Sequence, residues 1–257
     1  MAHEGREPLL KRIWHGLARI LCTGIVCPLY RVRAYGMKNV PCKGPLLILC
    51  SHQSFLDPIF AQSWVSRNFH FVARESLWES KVMAALLNPL FVVPIKQGAG
   101  DISAMRRIIA KLKAGCAVCL FPEGSRTWDG TVQEVKPGFG LISRRGEADV
   151  VPAVLEGAYD CWPRTRKFPR LGRVNVMYGE VIPYREIERL GDREFARVLT
   201  EKLRRMHNEL RVKMGRAPLD YSDVAAGPDG GPAAPVEAAG VADGETVDTG
   251  EKIDGCS

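Results

Sequence analysis

"PLLILCSHQSFLDP", residues 45–58, decides the fold. Leu46 to Cys50 is apolar at every position, and it is too short to make a helix of ordinary length. Such a run reads as a strand covered on both faces, the pattern of a parallel sheet between helices. It stops at a polar knot that holds His52 and, five residues on, Asp57. Pro58 suits a first helical turn, so the chain passes from strand through loop to helix within a dozen residues.

Outward from this stretch, strands are predicted at Leu46–Cys50, Phe69–Ala73, Leu90–Ile95, Ala117–Phe121, Val150–Leu155 and Val174–Tyr178. Helices are predicted at Pro58–Ser66, Leu77–Leu87, Ile102–Ala114 and Pro137–Arg145, with a long final helix from Asp192 to about Met214. Alternation of this kind implies a layered α/β domain with a mixed, partly parallel sheet flanked by helices. Sites in such sheets gather outside the carboxyl ends of strands. His52 and Asp57 follow one strand end, and "FPEGSRT" (residues 121–127) follows another. Pro152, inside the strand "VVPAVLEGA" (150–158), implies an edge, an end or a bulge.

Charge divides the chain. Of 257 residues with net charge +7, those from Ala217 onward carry nine acids and one base, leaving +15 on residues 1–216. A body that basic expects anionic partners: phosphorylated substrates, an acidic carrier protein or a membrane surface. Nucleic acid is not expected, because the basic residues are spread out and poorly interleaved with aromatics. The tail has almost no large apolar residues and cannot offset its ordering entropy, so residues 217–257 read as a disordered acidic tail. Residues 1–33 mix apolar and basic residues. Their longest uncharged stretch, Ile20 to Tyr30, is too short to span a bilayer and contains Pro28. Trp14, Leu17, Ile20 and Leu21 can share one helical face, so residues 1–33 read as an amphipathic membrane-associating segment, with a helix packed on the domain as the plainer alternative. Residues 34–216 form the remaining domain.

Eight cysteines do not suggest a disulfide framework. Cys50, Cys116 and Cys119 sit in or beside apolar runs, where cysteine acts as a small hydrophobe. The Cys116–Cys119 spacing has no matching second pair, so no metal site is expected, and a reducing compartment is.

Three segments can carry chemistry. A carboxylate on one nitrogen of His52 would let the other act as a general base; Asp57 as a helix N-cap beside an unrelated loop histidine fits the same residues. In "FPEGSRT", Gly124 permits close backbone approach and Arg126 offers a donor fork suited to phosphate, while Glu123 could hold Arg126 or a substrate hydroxyl. A turn closed by an internal salt bridge is the plainer reading. In "FVVPIKQGAGD" (91–101), Lys96 follows a strand and precedes two loosening glycines.

Taken together, His-x4-Asp in "SHQSFLD", then "VVPIKQG", "FPEGSRT" and "VVPAVLEGA" resemble the four ordered blocks of the glycerolipid acyltransferases, closest to the 1-acylglycerol-3-phosphate branch. "VKPGFG" (135–140) resembles the Lys-x-Gly segment that follows the third block. The resemblance spans about residues 30–185. It implies that His52 is the general base, that Asp57 orients it, and that Glu123, Gly124, Ser125, Arg126, Thr127, Lys96 and Gln97 face the acceptor and its phosphate. It implies a lysophospholipid acceptor, acyl-CoA or acyl carrier protein as donor substrate, no cofactor or metal, and a place on the cytoplasmic face of a membrane. The chain departs from the family pattern at Ser51, where asparagine is commoner, and at Gln97, where arginine is usual. A lipid hydrolase using the same pair on water, and a non-catalytic basic lipid-binding module, are the competing readings.

Overall fold

The computed structural model describes residues 13, 16–17, 20–75, 79, 92–95 and 102–222, with only the backbone at 22, 73–74 and 93–95. Among them seven strands form one sheet: β1 (Arg33–Tyr35), β2 (Leu46–Cys50), β3 (Phe69–Arg74), β4 (Val92–Ile95), β5 (Ala117–Leu120), β6 (Asp149–Glu156) and β7 (Asn175–Tyr178). Their order is β1-β7-β6-β2-β5-β3-β4. Every neighbouring pair is parallel except β6–β7. The helices are α1 (Asp57–Gln62), α2 (Ile102–Lys113), α3 (Phe139–Gly146), α4 (Ala158–Cys161), α5 (Tyr184–Leu190) and α6 (Asp192–Lys213).

Side-chain alternation explains why the strands are apolar throughout. Leu47 and Leu49 of β2 enter one core layer with Val118 and Leu120 of β5 and with Phe195, Leu199, Leu203 and Leu210 of α6. Leu46, Ile48 and Cys50 enter the opposite layer with Cys119, Phe60 of α1, and Tyr30 and Val32 from the segment before β1. With both faces covered, no position in β2 can be polar, and all five are buried. Burial pushes the Cys50 and Cys119 thiols well above their usual range, as for any thiol in an apolar core.

Several boundaries move from those predicted. The helix after His52 ends at Gln62 rather than Ser66, because Ser63 is extended and Trp64 takes a left-handed conformation. Asp57 is not the cap of that helix; Leu56 holds the cap position and Asp57 is the first helical residue. Pro152 lies in an interior strand, at a slip in pairing: Ala153 is opposite Tyr178, whereas Val150 is opposite Ile182. That bulge leaves the ring without a ladder bond to break. β1 has only three residues and no apolar run, and α5 buries only Ile187, so neither announces itself in the sequence. Apart from Glu79, the helix predicted at Leu77–Leu87 lies outside the described residues, as do the first two residues of the strand predicted at Leu90–Ile95. So does the tail beyond Ser222. Before that point the chain folds back onto α6, where Leu219 N–H donates to Asn208 Oδ1. Among the described residues no helix is long and apolar enough to cross a membrane.

Candidate active site

Strands β6, β2 and β5 are adjacent and parallel, so their carboxyl ends open on one edge of the sheet. His52 leaves β2 there. The chain turns at once, and the first residue of α1 brings its carboxylate back under the turn. Asp57 Oδ2 accepts the N–H of Gln53 at 2.6 Å, the N–H of Ser54 at 2.7 Å, and lies 2.7 Å from His52 Nδ1. A carboxylate can only accept, so Nδ1 carries the proton and Nε2 of the neutral ring is the basic nitrogen. His52 and Asp57 are 2% and 0% exposed, and Phe121 stacks on the imidazole with centroids 4.0 Å apart. In that low-dielectric setting the carboxylate strongly favours the imidazolium that forms on proton uptake.

The loop after β5 braces this unit. His52 N–H donates to Glu123 Oε1 at 2.9 Å, and His52 C=O accepts Thr127 N–H at 2.9 Å. Glu123 Oε2 accepts Gln133 N–H. Both Glu123 oxygens thus rest on main-chain N–H groups. Burial pushes its carboxyl up to about 8, opposed by those two bonds and abetted by the nearby Asp57 charge. Gly124 has φ +83°, and a Cβ there would meet Lys136 Nζ at 2.8 Å. Arg126 is 6% exposed with its guanidinium carbon 3.4 Å from the Phe55 ring centre. Thr127 is buried and its hydroxyl donates to Asp129. Ser125 is exposed. Lys96 and Gln97 lie outside the described residues; they follow β4, whose carboxyl end is on this same edge. Ser51, at one departure from the family pattern, accepts Leu155 N–H on its hydroxyl, tying β2 to β6.

Lys136, the lysine of "VKPGFG", reaches across Gly124. Two further features carry no local signal in the sequence. Gln53 donates to Gly130 C=O, accepts Tyr159 N–H, and lies 3.3 Å from His207 Nε2. Behind it, Glu156 at the end of β6 pairs with His207 at 2.7 Å, Arg211 at 2.9 Å and Arg216 at 2.8 Å. Burial alone would raise the Glu156 carboxyl, but the hydrogen bond and charge of His207 and the two guanidinium groups bring it to about 2. These partners are separated by 51 to 154 residues, beyond any local pattern.

The family model described as Acyltransferase matches residues 31–156. Residues 31–156 thus resemble the acyltransferase family. A chloroplastic 1-acyl-sn-glycerol-3-phosphate acyltransferase of Arabidopsis thaliana is 26% identical over 160 residues, which is 61% of this chain and 45% of that protein. The 1-acyl-sn-glycerol-3-phosphate acyltransferase of Bacillus subtilis is 25% identical over 184 residues, 71% of this chain and 89% of that protein. The chain therefore spans about half the plant relatives' length and most of the bacterial one's. In fold it is similar to the 1-acyl-sn-glycerophosphate acyltransferase of Thermotoga maritima, with a TM-score of 0.61 and 21% identity over 79% of this chain and 95% of that one. The span matched by the acyltransferase model holds His52, Asp57, the "FPEGSRT" loop and Glu156.

Proposed function

We propose that this protein transfers a fatty acyl group from an acyl thioester to the sn-2 hydroxyl of 1-acylglycerol 3-phosphate, giving phosphatidic acid. The observation that carries the reading is the buried His52–Asp57 pair at 2.7 Å, fixed by two main-chain N–H groups on the same carboxylate oxygen. The acceptor hydroxyl gives its proton to His52 Nε2 as its oxygen attacks the thioester carbonyl. The carbon–sulfur bond then breaks, and the thiol leaves with the proton from the imidazolium. Asp57 stabilises the charge on the ring between the two transfers. The thioester is already activated, so this route calls on no metal or cofactor, and acyl-CoA or acyl carrier protein enters as substrate.

Arg126, stacked on Phe55 two residues before Asp57 and near-buried, is the group we assign to the acceptor phosphate. Gly124 and Lys136 line the approach beside it, with Ser125 exposed at the mouth. Lys96 and Gln97 are assigned to the same phosphate on the strength of the family resemblance. The exposed apolar side chains of Leu17, Ile20, Leu21, Ile25 and Leu29 support a role for the N-terminal segment at a membrane surface, on the cytoplasmic side where acyl thioesters are made.

The test is thiol release from palmitoyl-CoA with lysophosphatidic acid, with His52→Ala run alongside. Release that requires the acceptor and vanishes in the variant supports the reading. Free fatty acid without acceptor would instead assign a hydrolase. Vesicle binding with no turnover from either donor would assign a binding module.

A further inference from the structure

Residues 161–173, "CWPRTRKFPRLGR", contain five basic residues and no acid. The neck of this loop is closed. Arg170 N–H donates to Cys161 C=O at 2.8 Å, and Gly172 lies so near Cys161 that a Cβ would meet its sulfur at 2.7 Å. Trp162 Nε1–H donates to Arg166 C=O, and Arg166 donates to Asp160 C=O. A surface loop tied at its ends and internally holds a shape of its own. The loop nonetheless turns two large apolar side chains outward: Phe168, inside the closed neck, is 70% exposed, and Leu171, between the two neck residues Arg170 and Gly172, is 65% exposed. Lys167 and Arg170 make no side-chain hydrogen bond or ion pair among the described residues. One exposed leucine means little; a rigid loop presenting phenylalanine and leucine among cations is an amphipathic surface.

Its position gives that surface a use. At one end Trp162 C=O accepts Ser54 Oγ–H and the Trp162 ring packs 4.9 Å from Phe55. Arg164 donates to Arg126 C=O and lies 3.6 Å over the ring of Trp128, itself 60% exposed. At the other end Val174 N–H donates to Tyr30 C=O, beside the segment that exposes Ile25 and Leu29. Two separate stretches of chain, joined at Val174–Tyr30, thus present exposed apolar side chains near the edge that holds the His52 loop.

We propose that the 161–173 loop is a second lipid contact, which sets Phe168 and Leu171 among the acyl chains of an anionic bilayer while its cations meet headgroup phosphates. The charge has a single sign, and exposed apolar side chains set among cations can enter a bilayer without needing the matching groove a folded partner would have to supply. The proposal rests on the lipid-acting reading above and adds to it a site and an orientation: the mouth beside Arg126 faces the membrane.

The experiment is co-sedimentation of the full chain with phosphatidylcholine vesicles, with and without phosphatidylglycerol. It compares the parent with Phe168→Ser/Leu171→Ser and with Lys167→Glu/Arg170→Glu. Turnover of a short-chain acceptor and thioester in vesicle-free solution, and the thermal midpoint, are measured beside it. The apolar pair should lower partitioning about tenfold on both vesicles. Each cation lost should lower it about fivefold on the anionic vesicles alone. Vesicle-free turnover and midpoint should hold. Partitioning unchanged in both pairs overturns the proposal, as does equal loss of vesicle-free turnover, which would make the loop part of the site. Unchanged partitioning with weakened binding of an acidic carrier protein also overturns it, in favour of a protein partner. A parent without turnover on any acceptor would remove the acyltransferase reading, and the partitioning would still decide this one.

Discussion

Asp57 Oδ2 lies 2.7 Å from His52 Nδ1 while the same oxygen accepts two main-chain N–H groups from the turn between them. One atom therefore shapes the loop, fixes the tautomer and supplies the counter-charge. Asp57→Asn keeps an oxygen for the N–H groups but removes the charge that favours the imidazolium. The expected result is a fall in kcat of about 10³–10⁴-fold, with KM for the acceptor little changed. His52→Ala, which removes the base itself, should lose at least as much, about 10⁴-fold, and retain the parent's circular dichroism. Steady-state thiol release checks both.

In the proposed function Arg126 is assigned to the acceptor phosphate rather than to proton transfer. Arg126→Gln should raise KM for a phosphate-bearing lysolipid about tenfold or more, the scale of a lost hydrogen bond to a charged group. It should change KM much less for an acceptor without phosphate. Kinetics on the two acceptors decide it, and equal effects on both would remove the assignment.

Glu156 ties β6 to α6. Its carboxyl is near 2 in the folded chain against an ordinary 4.5. A depressed carboxyl contributes stability that is present above the ordinary value and is lost as pH falls from 4.5 toward 2. Urea unfolding across that window should show this acid limb in the parent. Glu156→Gln should lack it and be less stable near neutrality by about 3 kcal/mol, because His207, Arg211 and Arg216 lose their shared partner.

Glu123 works in the opposite sense. Its carboxyl is raised from 4.5 to about 8, so the unfolded chain sheds that proton first. Its contribution is fully present below 4.5 and declines as pH rises toward 8. Glu123→Gln should remove this slope. It should also cost about 1–3 kcal/mol in mild acid, since the new amide turns N–H toward either His52 N–H or Gln133 N–H.

Gly157 separates Glu156 from α4 with φ +88°, and a Cβ there would meet Arg173 C=O at 2.1 Å. A main-chain oxygen in a sheet-bound segment cannot step aside. Gly157→Ala should destabilise by more than about 3 kcal/mol. Gly191→Ala, at φ +77° and ψ 169° but with nothing within 4 Å, should cost about 1–3 kcal/mol, from backbone strain alone. Thermal melts of the two variants separate packing from backbone strain.

The strands covered on both faces are legible in the residue order alone, and Leu46–Cys50 can be read because each of its positions is buried by the same cause. His52 and Asp57 stand out as candidates there, but their contact is one of two arrangements the same residues allow, and the fold of the turn chooses between them. Tertiary structure decided what those residues rest on. Glu123 reaches the His52 main chain only because β5 pairs beside β2, 71 residues away in sequence. The Gln53–His207 approach exists because α6 returns across β6, and Arg164 meets Trp128 because the 161–173 loop folds over the same edge. Hydrogen bonds of this kind depend on strand order and loop direction, which arise from the whole core closing at once and leave no periodic trace in the chain.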